Sequence, residues 1–328
     1  MSKPNLKLLY PFGSAEPFKQ LLEDIVDVIG KKCDNEEDFI NAIRDFDVSF
    51  ADVDLAVTKN VIQAGNKLKA IVCLSKGVDF VDLKAATEKG VFVTNVPDYS
   101  VVAVAEHALG LMLAISRKIP MANSAAISGN WNKRGEFKGV ELEGKTLGII
   151  GIGQIGRCLA SKAKGIGMNV IAYHPQPHTK ESVARELGII ITGDIGALLK
   201  DSDFVSINVP LKDSTSRMIG ERELRLMKKS AFLINCSRGA VVDERALTKA
   251  LEQRWIAGAA LDVLEKEPPD ANNPILKLDN VIITPHIAWN TIEADEKLRR
   301  VIREQVISIV KGEIPKNLVN TEVLQRRK

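Results

Sequence analysis

Thr146-Leu147-Gly148-Ile149-Ile150-Gly151-Ile152-Gly153-Gln154-Ile155-Gly156-Arg157 is the stretch on which the reading of this 328-residue sequence turns. A short apolar run enters three glycines spaced Gly-x-Gly-x-x-Gly, and Arg157–Lys164 opens a helix. Alone, the glycine spacing is weak evidence; between a strand and a helix it fits a dinucleotide site. There Gly151 permits the tight turn, Gly153 lets backbone approach a pyrophosphate, and Gly156 lets helix pack close on strand. Gln154 and Ile155 begin the helix whose free N–H groups meet the phosphates, and Arg157 adds a charge-assisted contact.

Around this stretch, short apolar runs alternate with amphipathic ones, which predicts an α/β fold with parallel sheets. Leu6–Tyr10, Val48–Ala51, Ala70–Leu74 and Val91–Thr94 read as strands, with helices over Phe18–Val28, Glu36–Ala42 and Leu83–Lys89. A long helix runs from Ser100 toward Lys118, where Pro120 disturbs it. A second series of strands follows at Thr146–Gly151, Val170–Tyr173, Ile189–Ile191, Phe204–Asn208, Ala231–Asn235, Gly258–Asp262 and Val281–Thr284. The helix Ile292–Lys311 closes the chain. Two domains suit this length.

Composition narrows the function classes. The chain is 45% hydrophobic and 27% charged with a net charge of +3, which argues for neither nucleic acid nor a membrane surface as partner. Cys33, Cys73, Cys158 and Cys236 form no Cys-x-x-Cys pair, so no metal is expected and a reducing cytoplasm is. Met1-Ser2-Lys3-Pro4-Asn5 lacks the apolar run of a leader, and Val101–Ile115 is too short and too interrupted to span a bilayer. The basic end Gln325-Arg326-Arg327-Lys328 reads as a solvated terminus.

Three charged residues fall in turns after strands of the second series, the edge where open α/β sheets bind ligands. They are Arg238 in Asn235-Cys236-Ser237-Arg238-Gly239, Glu267 in Leu264-Glu265-Lys266-Glu267-Pro268, and His286 in Thr284-Pro285-His286-Ile287. Reduction of a 2-oxo acid needs these types. Arginine grips a carboxylate with two prongs. Histidine supplies the proton near neutral pH, and a neighbouring carboxylate orients it and favours its charged form. Singly, each has a plainer reading: a surface ion pair, a loop acid, a strand-end cap. About 20 residues after the glycine loop, an acid usually holds the adenosine ribose of NAD. Here Ala172-Tyr173-His174-Pro175 puts His174 in that place, with His178 and Lys180 nearby and no arginine directly after. NAD is expected, and nothing in this turn excludes NADP.

Through these motifs the chain resembles the D-isomer-specific 2-hydroxyacid dehydrogenases almost end to end. Further similar signatures are Asn95-Val96-Pro97-Asp98-Tyr99-Ser100, Val104-Ala105-Glu106-His107-Ala108-Leu109, Asn208-Val209-Pro210-Leu211, Asn235–Glu244 and Gly258–Val263. The resemblance implies two flavodoxin-like or Rossmann-like lobes with the active site in the cleft between them. It implies a substrate-binding domain of residues 1–100 plus 290–328, a dinucleotide-binding domain of 101–289, and a homodimer formed through an arm at about 101–143. It implies Arg238 as carboxylate anchor, His286 as acid/base and Glu267 as its partner. Asp262 would accept from the nicotinamide carboxamide, and Val104, Pro210, Cys236 and Ser237 would line the cofactor. Ser75-Lys76-Gly77 would hold the substrate carboxylate through backbone N–H groups.

His286-Ile287-Ala288-Trp289 is similar to the hydroxypyruvate and glyoxylate reductase branch. Lys76 is shared in look with phosphite dehydrogenase and would favour an anionic substrate; a solvated loop lysine is its plain alternative. Trp131 reads either as reaching a partner subunit or as local packing. Some relatives are dinucleotide-sensing corepressors, but Arg238, Glu267 and His286 are all present here, and the short tails leave no docking segment and no room for the appended domain of many phosphoglycerate dehydrogenases.

Overall fold

The computed structural model describes residues 6–326, so Met1-Ser2-Lys3-Pro4-Asn5 and the terminal Arg327 and Lys328 lie outside the described residues. The chain divides into two compact units, residues 1–99 with 291–328, and residues 100–290.

The first unit is built on strands β1 (Lys7–Tyr10), β2 (Asp27–Gly30), β3 (Val48–Ala51), β4 (Ala70–Cys73) and β5 (Phe92–Thr94). They pair in parallel in the order β2-β1-β3-β4-β5. Every residue of β3, β4 and β5 is buried, as a parallel sheet covered on both faces requires. Three of the helices between them start on side chains that accept a backbone N–H: Asn35 from Asp38, Thr58 from Val61 and Asp82 from Ala85. The helix Ile292–Val310 belongs to this unit. Its Gln305 is fully buried; it accepts from Thr94 Oγ1 at 3.0 Å and donates to the Asn95 carbonyl at 2.8 Å.

One expectation fails here. The helix predicted over Phe18–Val28 covers only Glu16–Leu22, and the rest of that stretch turns into β2. Ile25, Val26 and Val28 are buried and extend the helical spacing past its end. Pairing of Asp27–Gly30 along the whole of β1 wins over that local pattern.

The second unit carries β6 (Thr146–Ile150), β7 (Asn169–Tyr173), β8 (Ile190–Thr192), β9 (Phe204–Ile207), β10 (Phe232–Asn235), β11 (Gly258–Leu261) and β12 (Val281–Ile283). All pair in parallel, in the order β12-β11-β10-β9-β6-β7-β8. Each strand lies where the sequence predicts it, within a residue or so. The expected α/β class with two parallel sheets is thus what the chain adopts. The strand order reverses beside β6, so the turns after β6 and β9 flank the crevice where doubly wound sheets take their ligands.

The long helix expected from Ser100 is Val101–Ser116, and a second helix occupies Ile119–Ile127. The break is made by Lys118, whose φ is +53°, ahead of Pro120. Pro120 then sits in the first turn of the second helix, where its missing N–H costs nothing. It starts a helix and does not disturb one.

Candidate active site

All the second unit's candidate residues but Val104 leave the sheet at one edge, because each follows a parallel strand. The glycine loop follows β6, His174 follows β7, Pro210 follows β9, Arg238 follows β10, Asp262 and Glu267 follow β11, and His286 follows β12. Val104 stands on the helix Val101–Ser116 of the same unit and is buried.

Gly151 has φ +100°, and a Cβ at Gly156 would stand 2.2 Å from the Gly151 carbonyl oxygen. Strand, turn and helix can meet this closely only through glycine. At Gly153 the space that a side chain would fill is open, and the helix Gln154–Gly165 begins there with no side chain capping it. An uncapped helix start behind an open glycine is what a pyrophosphate needs, so the residues present fit a dinucleotide. Arg157 Nε reaches back to the Ile152 carbonyl at 3.4 Å. His174 is held locally: its Nδ1 lies 3.0 Å from the Gln176 carbonyl and 3.2 Å from the Gln176 N–H. His178 is exposed and Lys180 partly buried.

The turns after β10 and β11 are locked together at Gly239. A Cβ there would fall 1.9 Å from the backbone of Leu264, so only glycine lets the Arg238 turn lie against the strand of chain leading to Glu267. Asn235 fastens the first turn, accepting from the Ser237 N–H at 3.0 Å and its hydroxyl at 2.9 Å and donating to the Arg238 carbonyl at 3.0 Å. Arg238 Nη1 donates to the Ser237 carbonyl at 2.9 Å. Cys236 is partly buried beside them; desolvation and then the Asp262 charge push its thiol well up, so it lines the site as a neutral group.

Glu267 and His286 meet. His286 Nδ1 donates to Glu267 Oε2 at 2.6 Å, while Glu267 Oε1 accepts from the Leu264 N–H at 2.9 Å. Burial opposes the charged imidazolium, but the hydrogen bond and charge of Glu267, helped by Asp262, outweigh burial and the repulsion of Arg238, so His286 titrates above its ordinary value. For Glu267 burial likewise opposes the charge, and the His286 bond, the Leu264 N–H and Arg238 outweigh it, which places its carboxyl below the usual range. The Arg238 charge acts on both partners.

His286 has φ +53°, a conformation that a residue other than glycine rarely adopts. Asp262 holds it there. The Asp262 carbonyl accepts from the His286 N–H at 2.8 Å, and its carboxylate from the N–H groups of Ile287 (2.9 Å) and Ala288 (2.8 Å). The Thr284 hydroxyl also donates to this carboxylate, which is 1% exposed. Sequence alone suggests only a ligand contact for Asp262. Its grip on the turn is invisible there, because residues 262 and 286–288 are separated by 24 to 26 positions; the one signal is an acid at the end of an otherwise apolar strand.

In the first unit, the loop after β4 is braced by its own contacts. Ser75 Oγ donates to the Gly77 carbonyl at 2.9 Å, Asn95 Nδ2 to the Lys76 carbonyl at 2.7 Å, and the Val96 N–H to the Ser75 carbonyl at 3.0 Å. Burial pushes the partly buried Lys76 ammonium below its ordinary value, against the pull of Asp98.

Comparison with known proteins places this geometry. The model of the NAD binding domain of D-isomer specific 2-hydroxyacid dehydrogenases matches residues 109–288. A glyoxylate reductase of Thermococcus litoralis is 44% identical over 293 residues, 87% of this chain and 87% of that protein. A D-3-phosphoglycerate dehydrogenase of Methanocaldococcus jannaschii is 42% identical over 323 residues, 98% of this chain, and the chain spans 61% of the length of that relative. The crystal structure of D-lactate dehydrogenase from Aquifex aeolicus, complexed with NAD and lactic acid, superposes with a TM-score of 0.86 at 31% identity, covering 96% of this chain and 99% of that one. The chain belongs to the D-isomer specific 2-hydroxyacid dehydrogenase family.

Proposed function

We propose that this protein is an NAD(P)-dependent D-2-hydroxyacid dehydrogenase that reduces a small 2-oxo acid, glyoxylate or hydroxypyruvate. The observation that carries the reading is the 2.6 Å bond between His286 and Glu267 within reach of the Arg238 charge, on the sheet edge that also bears the glycine loop. A dinucleotide held at the glycine loop would supply the hydride for C2 of the substrate. Arg238 grips the substrate carboxylate with its planar fork. His286, with Nδ1 committed to Glu267, gives a proton from Nε2 to the carbonyl oxygen as charge builds there. Glu267 fixes the ring and stabilises its charged form before the transfer. Gly151, Gly153, Gln154, Ile155, Gly156 and Arg157 hold the pyrophosphate; Val104, Pro210, Cys236, Ser237 and Asp262 line the rest of the dinucleotide. Ser75, Lys76 and Gly77 of the first unit bind substrate. NAD is the proposed cofactor, with His174 on the ribose hydroxyls. The 2-oxo acid named by the Thermococcus litoralis relative favours this chemistry over phosphite oxidation or dinucleotide sensing.

The working form is proposed to be a homodimer in the cytoplasm. In the helix Ile119–Ile127 no residue is buried, and Ile119, Ile127 and Trp131 are 53%, 79% and 75% exposed. A nine-residue helix is marginal by itself, and a second copy of this chain seated on the segment 101–143 would bury that apolar face. All four cysteines are free thiols, which suits a reducing compartment. No described helix is long and apolar enough to cross a membrane.

Initial rates with glyoxylate and hydroxypyruvate, using NADH and NADPH in turn, test the activity. Turnover of either acid supports it; dinucleotide binding without turnover of any 2-oxo acid refutes it.

A further inference from the structure

The helix Val101–Ser116 presents His107 to the turn that carries His286. His107 Nε2 lies 3.0 Å from Thr284 Oγ1 and 3.5 Å from Asp262 Oδ1. The direction of each bond follows from counting protons. Thr284 has one hydroxyl proton, and that proton goes to Asp262 Oδ1. The hydroxyl oxygen then has only lone pairs left for His107, so His107 Nε2 carries a hydrogen and donates it. From there the chain of bonds is continuous: His107 to Thr284, Thr284 to the Asp262 carboxylate, and that carboxylate to the N–H groups of Ile287 and Ala288.

We infer that His107 is a positioning residue for the proton donor, fixing the His286 turn through Thr284 and Asp262. The inference rests on the role proposed above for His286. Loss of the His107 donor frees the Thr284 hydroxyl to turn away from Asp262 Oδ1. The Asp262 carboxylate then has only Ile287 and Ala288 to set its rotation about Cβ–Cγ, and it hands any rotation on to them. Those two residues directly follow His286, whose backbone already sits at a φ of +53° that few residues other than glycine adopt. Relaxation there lengthens the bond from Nδ1 to Glu267. A donor displaced by a fraction of an ångström transfers its proton more slowly, while the distant glycine loop holds dinucleotide as before.

The test uses the full-length protein and follows kcat, the KM for NADH and the pH dependence of glyoxylate reduction. His107→Leu and Thr284→Val should each lower kcat about tenfold and raise the KM for NADH by clearly less than that, because Asp262 also lines the proposed dinucleotide site. In both, the alkaline limb of the rate should move to lower pH as His286 loses part of Glu267's support. His107→Gln keeps an N–H donor of similar reach and should recover most of the lost rate. In the double variant the two losses should not add, because they break one chain. Wild-type kcat and pH limb in Thr284→Val, a near-isosteric change that settles the matter even where His107→Leu fails to fold, would overturn the inference. So would a loss of rate with the pH limb unmoved and the KM for NADH rising in step, which marks general loosening. His286→Gln run in parallel separates the two levels: if it turns over normally, the reading of His286 falls, whereas its inactivity beside normal Thr284→Val leaves that reading standing and removes only the role of His107.

Discussion

The turns after β11 and β7 leave the same edge of one parallel sheet and are held in different ways. The first is anchored by a buried carboxylate: Asp262 is 1% exposed and takes backbone N–H groups from the neighbouring turn after β12. In the second, the His174 N–H donates to the Thr192 carbonyl of β8 at 3.0 Å, but the side chain bonds only to Gln176 two residues on, in a segment where Pro175, Gln176 and His178 are exposed. Tertiary bonds between separate turns fix an angle and a distance; bonds within one turn fix only its local shape. Proton transfer needs the former, since misplacement by about 1 Å costs on the order of a hundredfold in rate. A ribose contact needs only the right charge within reach, so the β7 end should accept substitutions that the β11–β12 end does not.

The largest effect should come from breaking the rigid end at its chemical group. His286→Ala should lower kcat by about 10²–10⁴ while leaving the KM for NADH nearly unchanged, read from steady-state rates with glyoxylate. Arg238→Ala should act on the same step through the substrate, with kcat/KM for the oxo acid falling about a hundredfold or more as a bidentate partner is lost.

Next in size is an attack on the frame. Gly239→Ala places a Cβ 1.9 Å from the Leu264 backbone, which has no flexible end to yield. Stability should fall by about 2 kcal/mol or more, and Tm with it by several degrees, because overpacking against backbone forces the two turns apart. Gly153→Ala is the matched control, with open space around its added methyl. It should melt like the wild type and instead raise the KM for dinucleotide, since the methyl occupies the pyrophosphate's approach. Equal destabilisation by both changes would contradict the contrast between a packed and an open glycine.

Most of this frame is legible in the sequence, and the misses have physical causes. Strands β6 to β12 announce themselves because each is a short apolar run closed by a turn. β2 does not: Ile25, Val26 and Val28 continue the spacing of the helix before them, and no glycine or proline separates the two. Only the pairing of β2 along β1 reveals it. The same limit applies to the site. Arg238, Glu267 and His286 are visible because their side chains suit a reaction and sit in strand-end turns. The scaffolding of Asp262, Thr284 and His107 is a matter of which atoms face each other across 22 to 177 positions of chain, and residue type carries no trace of that.

A gentler change at the rigid end separates orientation from charge. His286 must be protonated to give its proton, so the rate of reduction should be full at low pH and fall as pH rises through a midpoint above the ordinary imidazole value. The sign follows from Glu267, whose bond and charge raise the midpoint against burial and Arg238. Glu267→Gln removes the raising charge and leaves both lowering influences, so the midpoint should move down, with a loss of rate of about tenfold for each unit that it falls below the assay pH. An unmoved midpoint would mean that Glu267 only orients the ring.

The smallest effect should come from the tolerant end. His174→Asp puts a carboxylate where the ribose hydroxyls of NAD are proposed to lie, and where a 2′-phosphate would meet like charge. The His174 side chain bonds only within its own turn, so the substitution should leave Tm and kcat with NADH near their wild-type values. The ratio of kcat/KM for NADH over NADPH should rise by about tenfold, the order of one exposed like-charge contact. The change should be carried almost wholly by KM for NADPH and should shrink at high salt, because the turn is solvent-exposed and its charges are screened. A ratio that does not move would take His174 out of the cofactor site; a fall in kcat as large as that of Glu267→Gln would show that the two ends of the edge are mechanically coupled after all.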